Sequence, residues 1–157
     1  MKSDSARGWL LVFVQVLVFI VFALLPTRPV SPAGATIGGL FIVLGGVLLI
    51  WAFLSLGKAL TANPVPLAHA GLITTKAFSL VRHPIYTGLL TALFGFVVLM
   101  GSWWTLAWWF VAVLFFLGKS RWEDSLLAAK HGDSWTQWAE NTPALVPFTR
   151  FHRRSAP

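Results

Sequence analysis

The sequence predicts an all-α integral membrane protein with four transmembrane helices, a cytoplasmic loop and C-terminal amphipathic helices. Three observations carry that expectation. Of the 157 residues, 57% are hydrophobic and only 11% charged, with a mean hydropathy of +0.75, whereas charged residues make up about a quarter of an ordinary soluble domain. The apolar residues gather into long uninterrupted runs punctuated by Pro, Gly and charged clusters, the pattern of membrane helices. The basic residues collect at the ends of those runs that an even number of crossings returns to one side.

The first run covers residues 9–25 and stops at Pro26. Lys2 and Arg7 before it, and Ala33-Gly34-Ala35 beyond it, also resemble the layout of a cleaved signal peptide; its apolar core is long for one, and a retained helix is expected. Pro26, Pro29 and Pro32 break the chain between helices. The second run, 37–56, carries Gly38, Gly39, Gly45 and Gly46, with Gly34 just before it. Small residues at helical spacing permit close helix packing, although glycine is also common in membrane helices generally. The third and fourth runs, 84–100 and 103–117, reach only about 22 to 26 Å at 1.5 Å per residue. They must thin the bilayer, snorkel their ends or form a re-entrant hairpin, and two spanning helices are preferred. Trp103, Trp104, Trp108 and Trp109 crowd the turn between them, as an interfacial aromatic belt would.

Two polar stretches remain. The connection 57–81 holds Lys58, Asn63, Pro64, Pro66, His69, Gly71 and Lys76; it is too mixed for a membrane helix and too apolar for a free linker, so it lies against headgroups or packs on the bundle. In the tail, 118–157, Trp122, Leu126, Leu127, Ala129, Trp135 and Trp138 fall near helical spacing among charges, the pattern of an interfacial helix, and Gly132 divides it in two. No repeat or linker interrupts the chain, which reads as one domain over 1–157. Every lysine and arginine except Arg28 falls on one side of this arrangement, so both termini are expected to be cytoplasmic and the protein to be a multi-pass protein of a cytoplasmic membrane. Basic flanks facing anionic headgroups account for the net charge of +7 without nucleic acid.

The stretch Arg82-His83-Pro84-Ile85-Tyr86-Thr87-Gly88 sets two polar rings and a guanidinium at the mouth of the third apolar run. Pro84 suits the first turn of a helix, whose open N–H groups can receive an anion. A helical hairpin would bring the His83 end beside Lys119, Arg121, Glu123 and Asp124. On composition alone, Glu123 and Asp124 could equally offset Lys119 and Arg121 on a solvated face. The chain has no cysteine, which excludes disulfides, thiolate nucleophiles and cysteine metal sites. His69, His83, His131 and His152 lack ligand spacing, so no metal is expected. No nucleophile elbow, phosphate-cradling glycine loop or dinucleotide fingerprint is present.

The order of these pieces resembles the isoprenylcysteine carboxyl methyltransferase family, taken broadly with its phospholipid methyltransferase relatives. The resemblance runs over about residues 56–147 and rests on Leu56-Gly57, Asn63-Pro64, Leu72 to Thr75, Val81 to Gly88, Glu123-Asp124, Gly132 with Trp135 and Trp138, and Pro143 with Pro147. It implies transfer of a methyl group from S-adenosylmethionine to a lipophilic or membrane-embedded acceptor: a carboxylate, amine, phenol or thiol. It further implies that the loop and C-terminal helices form the cofactor site, with contacts from Asn63, Ala70, Gly71, Leu72, Ile73, Phe78, His83, Pro84, Ile85, Tyr86, Glu123 and Asp124. The sequence departs from the usual pattern at Lys76-Ala77-Phe78, where Gly-Pro-Tyr is common; at Asp124, where a second glutamate is common; at Trp135 and Trp138, where tyrosines are common; and at Asn141, where an arginine is frequent.

A sulfonium already makes its methyl group electrophilic, so such an enzyme needs to align donor and acceptor and exclude water. His83 or Tyr86 could take a proton from an amine or phenol acceptor, and Arg121 or Lys119 could hold an anionic head. Membrane lipids and a lipophilic substrate are the expected partners. Two readings from other classes stay open: a membrane reductase using a nicotinamide cofactor, and a non-enzymatic assembly or transport subunit.

Overall fold

The structure is a computed structural model and describes residues 2–66, 70–147 and 149. His69, His152, Arg150, Arg153 and Arg154, together with most of the tail beyond 147, lie outside the described residues. Among the described residues the secondary structure is wholly helical. There are five α-helices: α1 (Lys2–Leu24), α2 (Pro32–Leu56), α3 (Pro84–Met100), α4 (Trp103–His131) and α5 (Asp133–Asn141), with short 3₁₀ turns at Gly57–Ala59 and Lys76–Ser79.

α1, α2 and α4 are each long and apolar enough to cross a membrane, while α3 is a shorter apolar helix. The fourth apolar run is therefore not a short segment followed by a separate interfacial helix. It continues through Gly118 as one helix of 29 residues to His131, because a single glycine costs a helix interior only about 1 kcal/mol and nothing else in 117–131 stops the ladder. Gly132 does stop it, at φ +54, a conformation that suits glycine. α5 starts immediately after.

Two local signals fix the ends of α2 and α3. The Ser31 hydroxyl accepts the Gly34 N–H at 3.1 Å with Pro32 in the first turn of α2. Gly101 closes α3 in the left-handed region at φ 60, ψ 21.

Glycines weld α2 to α3. A Cβ on Gly38 would lie 2.8 Å from the Gly95 carbonyl oxygen and one on Gly95 2.5 Å from that of Gly38; Gly45 and Gly88 exclude each other likewise at 2.5 and 2.9 Å. Backbone therefore meets backbone at two levels. Gly39 and Gly46 face open space, so only one member of each glycine pair makes the contact.

The tryptophans divide in the same way. Trp103 and Trp104 are exposed, as an interfacial belt requires. Trp108 and Trp109 instead point inward, and their indole N–H groups donate to Val18 O on α1 and Leu90 O on α3, both at 2.9 Å. They tie helices together, because an indole N–H in an apolar bundle must find an acceptor. The core beneath them joins Val18, Tyr86, Leu90, Ala112, Phe116 and Leu145.

Candidate functional site

Pro84 begins α3, which leaves His83 at the cap position with extended-side geometry, φ −123 and ψ 64. The residues before the helix are held by backbone hydrogen bonds to the segment after α5: Arg82 N donates to Pro143 O at 2.8 Å and His83 N to Ala144 O at 3.0 Å. Thr87 Oγ1 donates to Leu145 O at 2.7 Å and extends the seam by one turn. Arg82 locks it, with Nη1 donating to Ala139 O and Thr142 O at 2.9 and 2.8 Å and Nη2 to Asp124 Oδ2 at 2.9 Å. These acceptors are the orphan carbonyls at the end of α5, the groups a cation satisfies best.

His83 is buried with a carboxylate on each ring nitrogen. Nε2 lies 3.0 Å from Asp124 Oδ1 and Nδ1 3.3 Å from Glu123 Oε2. Adjacent helical residues diverge by about 100°, and the imidazole fills that angle, so both neighbours reach it from one helix. Burial opposes charge on the ring, but the hydrogen bonds and attraction from Asp124 and Glu123 outweigh it, and the His83 pKa lies above its ordinary value. A doubly protonated ring donates to both carboxylates; either neutral tautomer would set a lone pair against one of them.

Tyr86, in the first turn of α3, stacks on His83 with ring centroids 5.5 Å apart and 6° between planes. Its hydroxyl donates to Glu123 Oε1. Glu123 is thereby held by two groups of the Arg-His-Pro-Ile-Tyr block, one on each oxygen.

This cluster forms one wall of a cavity of about 430 Å³. His83, Pro84, Ile85, Tyr86 and Glu123 line it, as do Asn63, Ala70, Gly71, Leu72, Ile73 and Phe78 from the connection between α2 and α3. Asp124 does not line it; the residue stands behind His83, bound to Arg82. Of the two carboxylates expected at the site, Glu123 is the one that faces the space. Arg121, expected to hold an anionic head, lies away from this cavity. It is exposed and absent from the lining, because two residues along a helix rotate it about 200° from Lys119; Lys119 is buried and lines the cavity.

Several lining residues stand outside the expected cofactor contacts. Gln15 on α1 and Trp138 on α5 face the cavity, and Lys130 donates to Ala70 O at 2.8 Å, fixing the connection over it. Gln15 had a signal: it is the one polar residue within 9–25. Trp138 stood in the family resemblance and in the amphipathic spacing, without a cofactor role, and Lys130 had no signal. Asn63 turns away in part, its amide donating to Ser5 O at 3.2 Å while its Oδ1 accepts the Val65 N–H at 3.1 Å, so it braces the loop against α1. Lys76 adopts a left-handed φ of 58 at the place where the common pattern has glycine, which suits that region without a Cβ penalty.

The model of the phospholipid methyltransferase family matches residues 34–134, which span α2, the connection, α3 and α4. Comparison with curated proteins finds no match.

Proposed function

Because the chain belongs to the phospholipid methyltransferase family, we propose that it is a membrane enzyme that transfers a methyl group from S-adenosylmethionine to a lipophilic acceptor in the bilayer. Members of this family generally use that donor. The observation that carries the proposal is the wall formed by His83, Tyr86 and Glu123 on a cavity whose other side is apolar, with Val12, Phe53, Leu56 and Leu89 toward the bundle. Such a space is of the size and mixed character of a small-molecule site.

Glu123 is the group that receives a donor-rich ligand. Tyr86 and His83 occupy one lone-pair direction on each of its oxygens, and a carboxylate has further acceptor positions for an ammonium or ribose hydroxyls. Phe78 and Trp138 supply flat apolar walls suited to an adenine. His83, held between two carboxylates, serves as an organiser of Glu123 more readily than as a proton sink, since a base must be free to accept. Acceptors that are already anionic or neutral nucleophiles therefore fit this site better than protonated amines. In this reading α3 is a fourth crossing, 1–157 acts as one unit, and both termini are cytoplasmic.

Thermal unfolding of the purified chain in detergent tests the reading. S-adenosylhomocysteine at about 100 times its Kd should add roughly 2.7 kcal/mol of stability, and Glu123→Gln should abolish most of that shift. Stabilisation by a reduced nicotinamide instead would favour a reductase, and a response to neither would favour an assembly or transport subunit.

A further inference from the structure

Lys119 is a buried cation that the chemistry described above does not use. It is 4% exposed, lies one turn before Glu123 on α4 and lines the cavity. Its Nζ donates to Gln15 Oε1 at 2.7 Å and stands 5.0 Å from the centroid of the Tyr86 ring. Among the described residues, no carboxylate lies within ion-pair distance of it, and Gln15 is its hydrogen-bond acceptor. An ammonium has three donors; Gln15 takes one, and the Glu123 carboxylate one turn along α4 attracts the ammonium from beyond ion-pair distance.

Gln15 reinforces the same polarity. With Oε1 committed to Lys119, its amide presents N–H donors, and the residue lines the cavity. Two sets of unspent donors thus converge where the walls turn apolar, beside Val12 and Leu89. A glutamine in the middle of an otherwise apolar helix is expensive unless it is used. Gln15 lies outside the 34–134 region that the family model matches.

We propose that Lys119 and Gln15 form an oxyanion subsite on the bilayer-facing floor of the cavity, which selects a ligand carrying a carboxylate or phosphate next to an apolar chain. The proposal rests on the methyltransferase reading for its place in catalysis, and it is tested independently of that reading. The oxyanion has two possible sources, the head of a long-chain acceptor or the carboxylate of the methyl donor's amino-acid portion.

Binding of palmitate and of hexadecanol to the full chain in a non-ionic detergent, followed by tryptophan fluorescence, examines the first source. S-adenosylhomocysteine against methylthioadenosine, which lacks the aminocarboxyl group, examines the second. Wild-type protein should prefer the acid of one pair by roughly tenfold or more, the scale of a charge-assisted hydrogen bond. Lys119→Met should erase that preference, Gln15→Leu should reduce it several-fold, and Lys119→Arg and Arg121→Met should keep it. Loss confined to palmitate assigns the subsite to the acceptor; loss confined to S-adenosylhomocysteine assigns it to the donor. Equal binding within both pairs by the wild type, or preferences unchanged in Lys119→Met and Gln15→Leu, overturns the proposal. If Lys119→Met fails to fold, Gln15→Leu decides. Failure of the wild type to bind S-adenosylhomocysteine would sink the methyltransferase reading while leaving the palmitate comparison able to decide the subsite.

Discussion

At the scale of single residues, the two adjacent carboxylates do different work, and this can be measured. Glu123 faces the cavity and is braced by Tyr86 and His83; Glu123→Gln should weaken S-adenosylhomocysteine binding by roughly 1 to 3 kcal/mol with little loss of stability. Asp124 joins Arg82 to His83 behind the wall; Asp124→Ala takes the one carboxylate from Arg82 and one of two from His83, and should destabilise the fold by about 3 kcal/mol. Titration calorimetry and thermal unfolding of both variants separate these roles, and identical profiles would remove the distinction. His83 adds a pH signature. Its folded pKa is raised, so its stabilising contribution is complete below the unfolded value of about 6.5 and is lost as pH rises through the folded value. The unfolding temperature should therefore fall on the alkaline side of neutrality in the wild type and fall less in His83→Gln; parallel curves would show that the ring does not titrate there. The motif residues were legible because Pro84 marks a helix start and the pairing of a basic block with an acidic pair is chemically specific. Which carboxylate faces inward was not, since it depends on the rotation of α4 against α3.

At the scale of elements, the helix boundaries followed local chemistry closely. Pro84 and Gly101 bracket α3, and Gly132 separates α4 from α5. The continuity of α4 through Gly118 was less legible, because a change from apolar to amphipathic composition mimics a boundary without breaking any hydrogen bond. Glycine placement in α2 shows the same limit. Composition marks Gly38, Gly39, Gly45 and Gly46 as a packing surface, but only the rotation of α2 against α3 determines that Gly38 and Gly45 meet Gly95 and Gly88 while Gly39 and Gly46 do not. Substitution reads that rotation directly. Gly45→Ala puts a Cβ within 2.5 Å of the Gly88 carbonyl oxygen and the Ala92 backbone nitrogen, which side-chain movement cannot relieve, so it should cost about 3 kcal/mol. Gly46→Ala meets open space and should be neutral or stabilising by up to about 1 kcal/mol through helix propensity. Equal effects at the two neighbours in detergent unfolding would mean that α2 is rotated differently.

At the scale of the whole molecule, the contacts sort into two ends. At one end Arg28 N, in the loop between α1 and α2, donates to Met100 O at the close of α3 at 2.7 Å. At the other, Asn63 reaches Ser5 near the start of α1, Lys130 of α4 reaches Ala70, and the 143–144 segment pairs with Arg82 and His83. α3 begins at the second end and finishes at the first, and on the reading proposed above it is the fourth crossing. Its 17 residues extend only about 26 Å, which a locally thinned bilayer accommodates. Arg7, Lys76, Arg82 and Lys130 lie at the second end, as does the polar wall of the cavity, while Arg28 stands at the opposite one. Basic residues are retained on the cytoplasmic side, so a water-soluble donor should enter from the cytoplasm and an apolar acceptor from the bilayer. Reporter fusions at the amino terminus, beside Lys76 and after Pro157 should accordingly all read cytoplasmic, and an insertion between Thr27 and Ala35 should read external. A carboxy terminus on the opposite side from the amino terminus would require an odd number of crossings. It would overturn the reading in which α1 to α4 all cross and His83 meets Glu123 at the cytoplasmic face.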